Sequence, residues 1–119
     1  MPDRDRTIIA KYPDLFDLDS CPTGSLMHLG LQVDSGWLPV IEQLCTRIEP
    51  IAPADFRIVA VKQDMGTLRI AYRDGTDAIY IEVEAARRLA ARTCEFCGGP
   101  GVQRTVGGWM SVRCESCGG

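Results

Sequence analysis

The sequence predicts an α+β fold: a small αββα body with one antiparallel hairpin, followed by a C-terminal ribbon organised on cysteines. Three observations predict it. Apolar residues recur at three- and four-residue steps between Trp37 and Ile48 and again between Ile79 and Ala90, the period of a helix packed on one face. Between these stripes lie two short runs rich in β-branched and aromatic residues, joined by a Gly-bearing link. Beyond them, four of the six cysteines fall into two Cys-x-x-Cys pairs.

Taken in order, Thr7 is placed to cap a short helix that Pro13 disrupts. The aspartates of the first twenty residues read as a solvated, mobile face rather than a carboxylate dyad. From Asp17 to Ser35 the chain is rich in Asp, Ser, Gly and Pro around a small apolar stretch, which predicts a loop carrying one edge strand within Leu26 to Val33. Gly36 opens the first strong helix, whose buried stripe is Trp37, Ile41, Leu44, Cys45 and Ile48. Pro39 falls in its first turn, where a missing N–H costs no bond, and Pro50 and Pro53 end it. Trp37 and Cys45 are therefore expected in the core.

Phe56 to Val61 and Thr67 to Tyr72 predict a hairpin linked through Gln63-Asp64-Met65-Gly66. Alternation sends Leu68, Ile70 and Tyr72 to one face and Thr67, Arg69, Ala71 and Arg73 to the other. Asp74-Gly75 then turns the chain, and Thr76 or Asp77 caps a second helix. Its stripe is Ile79, Val83, Ala86 and Leu89 or Ala90, and it reaches about Arg92. Glu84 and Arg88 are spaced to pair on its exposed face.

A chain of 119 residues suits one compact domain, or one of about ninety residues with a small appendage. The composition shift divides it into a body at 1–92, with an irregular N-terminal segment, and a ribbon at 93–119. Hydrophobic residues make up 45% and charged residues 24%, an ordinary globular balance. No apolar run approaches the roughly twenty residues of a membrane span, so no membrane partner is expected. The opening MPDRDR leads into no apolar h-region of a secretory signal. Paired cysteines, with Cys21 and Cys45 in unrelated contexts, favour metal binding in a reducing compartment over a disulfide scaffold. These points together predict a cytoplasmic protein.

The chemistry lies in the tail. Cys94-Glu95-Phe96-Cys97-Gly98-Gly99 is followed by Cys114-Glu115-Ser116-Cys117-Gly118-Gly119, with sixteen residues between Cys97 and Cys114. A tight turn presents both thiolates of a Cys-x-x-Cys to one ion, and a following glycine lets the backbone enter positive φ and aim amides at sulfur. Gly101 to Thr105 and Trp109 to Arg113 can form a hairpin about Gly107-Gly108 that brings the two pairs together. The spacing is that of a single structural Zn²⁺ held by Cys94, Cys97, Cys114 and Cys117. The competing readings are a redox Cys-x-x-Cys or two disulfides, but the βαβ context of a redox motif is missing. Four thiolates fill a tetrahedral ion and leave no place for a catalytic water.

Charge divides unevenly. Up to Glu84 there are eight Lys or Arg against fourteen Asp or Glu, and beyond it five Arg against two Glu. A basic tail with Phe96 and Trp109 interleaved suggests nucleic acid, since arginines contact phosphates and aromatics stack on bases. A zinc tetrathiolate is dianionic, however, and offsets most of that excess. Arg92, Arg104 and Arg113 are equally placed to balance the sulfurs. Catalysis has little support. His28 is the only histidine, Cys21 and His28 would make only half of another metal site, and there is no Gly-rich phosphate loop or nucleophile elbow. The expectation is that the chain is not an enzyme.

The Cys-x-x-Cys-Gly knuckles resemble the broad zinc-ribbon class over about residues 93 to 119. Gly36-Trp37-Leu38-Pro39-Val40-Ile41-Glu42-Gln43-Leu44-Cys45 and Val61-Lys62-Gln63-Asp64-Met65-Gly66-Thr67-Leu68-Arg69 resemble small uncharacterised bacterial and phage-borne proteins. Those share a Gly-Trp helix start, a Gly-Thr-Leu-Arg hairpin and a cysteine-bearing tail. That resemblance implies this layout and an accessory role of phage or mobile-element origin, and it carries over no catalytic residue. The leading expectation is a zinc-binding protein-interaction or regulatory module with a protein partner. The alternatives are a nucleic-acid-binding zinc ribbon and, third, an enzyme using the concave side of the first hairpin. One continuous basic stripe through Arg87, Arg88, Arg92, Arg104 and Arg113 would favour nucleic acid, and dispersion a protein partner.

Overall fold

The computed structural model describes residues 2–17 and 31–118. The elements are α1 (Pro2–Lys11), a 3₁₀ turn at Pro13–Leu15, another at Ser35–Trp37, α2 (Leu38–Ile48), β1 (Arg57–Asp64) and β2 (Thr67–Arg73). They continue with α3 (Asp77–Ala90), β3 (Val102–Val106), β4 (Trp109–Arg113) and the single turn α4 (Glu115–Gly118). The fold is α+β, with two separate antiparallel pairs, β1–β2 and β3–β4.

α2 buries Leu38, Val40, Ile41, Leu44, Cys45 and Ile48, adding Leu38 and Val40 to the expected stripe. Its start is later than expected. Gly36 and Trp37 lie in the 3₁₀ turn because the Gly36 amide donates to the Glu95 carbonyl at 2.8 Å instead of starting the helix. Trp37 is fully buried all the same.

β1 and β2 pair from Arg57↔Arg73 to Asp64↔Thr67, with one irregularity between Ile58 and Ala60. The expected four-residue link contracts to two. Met65 and Gly66 have φ of 52° and 80°, the left-handed pair that closes a tight hairpin, so Gln63 and Asp64 join the strand. Leu68 is buried and Ile70 and Tyr72 half-buried on the core face, while Thr67, Arg69, Ala71 and Arg73 are exposed, as alternation predicts.

The outer edge of β1 is covered by two parallel bridges, Phe16↔Ile58 and Gln32↔Lys62. The edge strand expected in Leu26 to Val33 is represented by the Gln32 bridge, and 26–30 lie outside the described residues. Two N-terminal expectations change. Thr7 sits inside α1 and does not cap it; the helix stops at Lys11, ahead of Pro13. Asp17 does not join a solvated face: it is 4% exposed and its carboxylate accepts from Arg73 Nη1. The Asp17 amide bonds the Ile58 carbonyl at 2.9 Å, which draws the residue onto the sheet within reach of β2's last arginine.

Thr76, of the two candidate caps, accepts from the Ile79 amide at 3.3 Å. α3 buries Ile79, Val83, Ala86 and Ala90 and ends at Ala90. Beyond it, the Arg92 and Thr93 amides close short turns on Leu89 and Ala90. Glu84 pairs with Arg87 at 3.0 Å rather than with Arg88. The Arg87 Nε also donates to the Leu68 carbonyl at 3.0 Å, and that contact holds its side chain over β2. Trp37, Ile41, Ile48, Phe56, Ile58, Val61, Leu68 and Ile79 form the centre of the core, and Val112 of β4 enters the same cluster from the ribbon. Among the described residues no helix is long and apolar enough to cross a membrane.

Candidate metal centre

The first knuckle follows α3 directly. Its loop closes on itself: the Cys94 amide donates to the Gly99 carbonyl at 2.7 Å and the Gly98 amide to the Cys94 carbonyl at 2.9 Å. Gly98 supplies the left-handed turn, with φ of 83°, that the glycine after Cys97 was expected to provide. The Gly99 amide then points at Cys97 Sγ across 3.4 Å.

The β3–β4 hairpin returns the chain to this loop. Gly107 and Gly108 turn it, and the strands pair from Val102↔Arg113 to Val106↔Trp109. The second knuckle is built differently from the first. Cys114 and Cys117 flank the start and middle of α4, the Cys117 amide donates to Cys114 Sγ at 3.3 Å, and Gly118 ends the helical turn instead of making a left-handed one.

A carboxylate ties the knuckles together, and sequence reasoning did not single it out. The Glu95 amide donates to the Val112 carbonyl at 3.0 Å, while Glu95 Oε2 accepts from the Val112 amide at 2.9 Å. Glu95 is 4% exposed, and Gln63 Nε2 reaches it at 3.4 Å from the body hairpin. An acidic residue inside a Cys-x-x-Cys is usually a solvated one, so the sequence held no signal for this bond.

The four Sγ atoms of Cys94, Cys97, Cys114 and Cys117 lie within 4.8 Å of one another, and Cys97 and Cys114 are 3.6 Å apart. Four sulfurs about 2.3 Å from one tetrahedral ion stand about 3.8 Å from each other, so this donor set fits a single metal ion, and soft thiolates suit zinc. Cys94 is buried, Cys97 exposed, and Cys114 and Cys117 half-buried. Burial pushes the Cys94 thiol up, but the amides of Cys97, Cys114 and Phe96 pull it down to about 6. The Cys117 amide lowers Cys114 in the same way. At Cys97 the Gly99 amide acts downward, but Cys114 and Cys94 outweigh it and the thiol is raised. Cys114 and Cys94 push Cys117 up to about 12. In each knuckle one thiol is lowered and the other raised, a division set by the backbone amides and by the hydrogen bonds among the sulfurs.

Comparison of the chain with known protein families, characterised proteins and solved structures finds no match.

The remaining candidates separate from this centre. His28 and Cys21 lie outside the described residues. Cys45 is buried in α2, with its thiol raised to about 12 by burial and then by Glu42 and Glu49. Two of the arginines expected to balance the sulfurs, Arg104 and Arg113, make other contacts. Arg104 Nε donates to the Arg113 carbonyl at 3.3 Å, and the Arg113 guanidinium lies 5.0 Å from the Phe96 ring centre and bonds Ser111. Arg92 borders a groove between α2 and α3, and Arg87 is committed to β2. The hydrogen bonds found on sulfur from outside the thiols come from backbone amides instead.

Beside the centre runs an open groove of about 460 Å³ between segment 31–34 and β4, bordered by Asp34, Gln63, Phe96, Trp109, Met110 and Arg113. Trp109 is 75% exposed on its rim. Met65, at the neighbouring hairpin tip, is 69% exposed. The Gln103 side chain, near the start of β3, ties the ribbon to that tip by donating to the Met65 carbonyl at 3.3 Å.

Proposed function

We propose that this chain is a zinc-binding protein-interaction or regulatory module in which one structural ion holds a recognition surface against a small acidic body. The observation that carries the reading is the exposure of Trp109 and Phe96 on one groove, with Met65 exposed at the neighbouring hairpin tip, while Trp37 and the other large core residues are buried. Aromatic and Met side chains are the types enriched where proteins meet. The same centre supports a non-catalytic reading of the metal, since four thiolates saturate the ion. A cytoplasmic location fits thiols kept reduced for metal. The likeness to phage-borne proteins stays with the Gly-Trp and Gly-Thr-Leu-Arg segments.

The nucleic-acid reading has one observation in its favour: the pairs Arg104↔Ser111 and Val106↔Trp109, two residues apart along the hairpin, set Arg104, Trp109 and Arg113 on one ribbon face. Against it, Arg87, Arg92 and the Arg104–Arg113 pair belong to different surfaces, which is the dispersed arrangement.

Two measurements test the proposal. Elemental analysis with X-ray absorption should give one zinc per chain in an all-sulfur shell; two ions, or a histidine ligand, would contradict it. A photo-crosslinking residue replacing Trp109 should form protein adducts in cells, whereas the same residue at Arg88 should not. Adducts to nucleic acid alone would transfer the function to the second reading.

A further inference from the structure

We infer that the groove between segment 31–34 and β4 receives an extended, lysine- or arginine-bearing segment of a partner protein. This deepens the interaction reading and rests on it. The groove is complementary to such a segment in charge and in shape.

Two carboxylates border the groove, the exposed Asp34 on one wall and, at the base, Glu95, which is buried and held by the Val112 amide and Gln63, against the single cation Arg113. Arg113 is already engaged: its guanidinium lies over Phe96 and its Nε bonds the Ser111 hydroxyl at 2.5 Å. Asp34 precedes the 3₁₀ turn at Ser35, yet its side chain makes no capping bond there, and it is exposed on the rim. The four-cysteine centre adjoins Glu95 and Phe96 in sequence and adds negative charge when it holds zinc. The chain as a whole carries a formal charge of −3. Field and lining therefore both favour a cation and oppose a phosphate backbone.

The walls suit the stem of such a residue as well as its head. Trp109 stands at the mouth with three quarters of its surface in water, and Phe96 is 37% exposed beside it. An ammonium or guanidinium over an indole face gains a cation–π attraction, and the methylenes of Lys or Arg cover the ring. The groove is also open rather than closed, and runs alongside a strand, the shape that accepts an extended chain instead of a compact small molecule.

The test uses the full zinc-loaded chain and a fluorescein-labelled peptide of about ten residues alternating Lys and Val, a length that spans one strand-like site. A Glu/Val peptide of equal length and a single-stranded oligonucleotide are the comparison probes, read by anisotropy at about 150 mM salt, where long-range attraction is largely screened. Saturable binding of the basic peptide alone is expected. Asp34→Lys should weaken it about tenfold or more by adding a like charge at the site, and Trp109→Ala about as much by removing the aromatic wall. Ile81→Ala, on the exposed face of α3, should leave it unchanged. Equal loss in Ile81→Ala, no loss in the two groove variants, no binding of the basic peptide, or preference for the acidic peptide or the oligonucleotide would each overturn the inference. If the basic peptide fails while protein adducts form at position 109, the interaction reading stands and only the basic partner falls. Absence of both defeats the two together.

Discussion

The indole Nε1 of Trp37 donates to the carbonyl of Thr93 across 2.8 Å, so a buried residue beside α2 holds the backbone one step before the first metal cysteine. Gly36 reinforces it. Its amide bonds the Glu95 carbonyl, and a Cβ at Gly36 would stand 2.2 Å from the Cys94 carbonyl oxygen. The Gly-Trp pair that reads in sequence as a helix start is therefore also the seat of the first knuckle.

That seat makes a stability prediction. Trp37→Phe keeps most of the ring but leaves the Thr93 carbonyl without its donor, and should cost about 2 kcal/mol, shared between the bond and the lost volume. Gly36→Ala forces backbone apart and should cost about 3 kcal/mol or more while weakening zinc retention. Urea denaturation and competition with a chelator would check both; an unperturbed Gly36→Ala would mean that the knuckle does not rest on this turn.

A second prediction concerns Asp17, buried against the half-exposed Arg73. Arg73→Ala takes the Arg73 guanidinium from that carboxylate, and removing one partner of an ion pair costs about 3 to 5 kcal/mol when both are buried. Water can reach the Arg73 side, so about 1 to 2 kcal/mol is expected here. Asp17→Asn, which removes the charge but keeps an oxygen that can accept from Arg73, should cost less than Arg73→Ala in the same denaturation assay.

Cys45 gives a prediction in pH. Burial, then Glu42 and Glu49, raise its thiol from 9.0 to about 12. The folded state thus disfavours the thiolate, so the contribution of the neutral thiol is complete below pH 9 and is lost as pH rises through about 12. Wild-type protein should lose stability on the alkaline side of pH 9 more steeply than Cys45→Ala. In mass-spectrometric mapping with iodoacetamide at pH 8, below the range where this thiol ionises, Cys45 should stay unlabelled after chelation while Cys94 and Cys97 are modified. Early labelling of Cys45 would show that α2 opens when the metal leaves.

Nucleic acid provides a fourth prediction. Arg104 and Arg113 are the two arginines on the ribbon face, and the adjoining thiolate centre offsets them. Binding to single- or double-stranded DNA or RNA should therefore be weak and steeply salt-dependent at about 150 mM salt. Sub-micromolar, sequence-selective affinity would reverse the order of the two functional readings.

Much of this architecture was legible because it rests on local rules. Periodicity marked α2 and α3, alternation oriented Leu68, Ile70 and Tyr72, and cysteine spacing picked out the four residues whose sulfurs cluster. What escaped was decided by tertiary contact. Asp17 is buried because backbone bonding to Ile58 draws it in, and Glu95 because its carboxylate substitutes for a missing strand partner of Val112. Arg87 takes Glu84 in place of Arg88 because the Leu68 carbonyl lies nearby. No local pattern encodes those partners.

The last prediction asks how far body and ribbon depend on the same metal. The ribbon from Cys94 onward contributes Val112 to the main core, and little else of it is large, apolar and buried among the described residues. A segment of that size does not hold itself, and structural zinc supplies on the order of 10 kcal/mol of binding free energy that appears as folding free energy. Chelation should therefore release it. The body keeps Trp37, Ile41, Ile48, Phe56, Val61, Leu68 and Ile79 packed on one another, and loses the burial of Val112, about 2 kcal/mol, together with the Trp37–Thr93 and Gly36–Glu95 bonds. Hydrogen exchange after chelation should show residues from about Thr93 onward losing protection, with α2, α3 and the β1–β2 hairpin retaining most of theirs at a lower midpoint in urea. Cys114→Ser should reproduce that pattern. If it melts the whole chain in one transition instead, the contacts through Trp37, Gly36 and Val112 bind the two parts into a single cooperative unit.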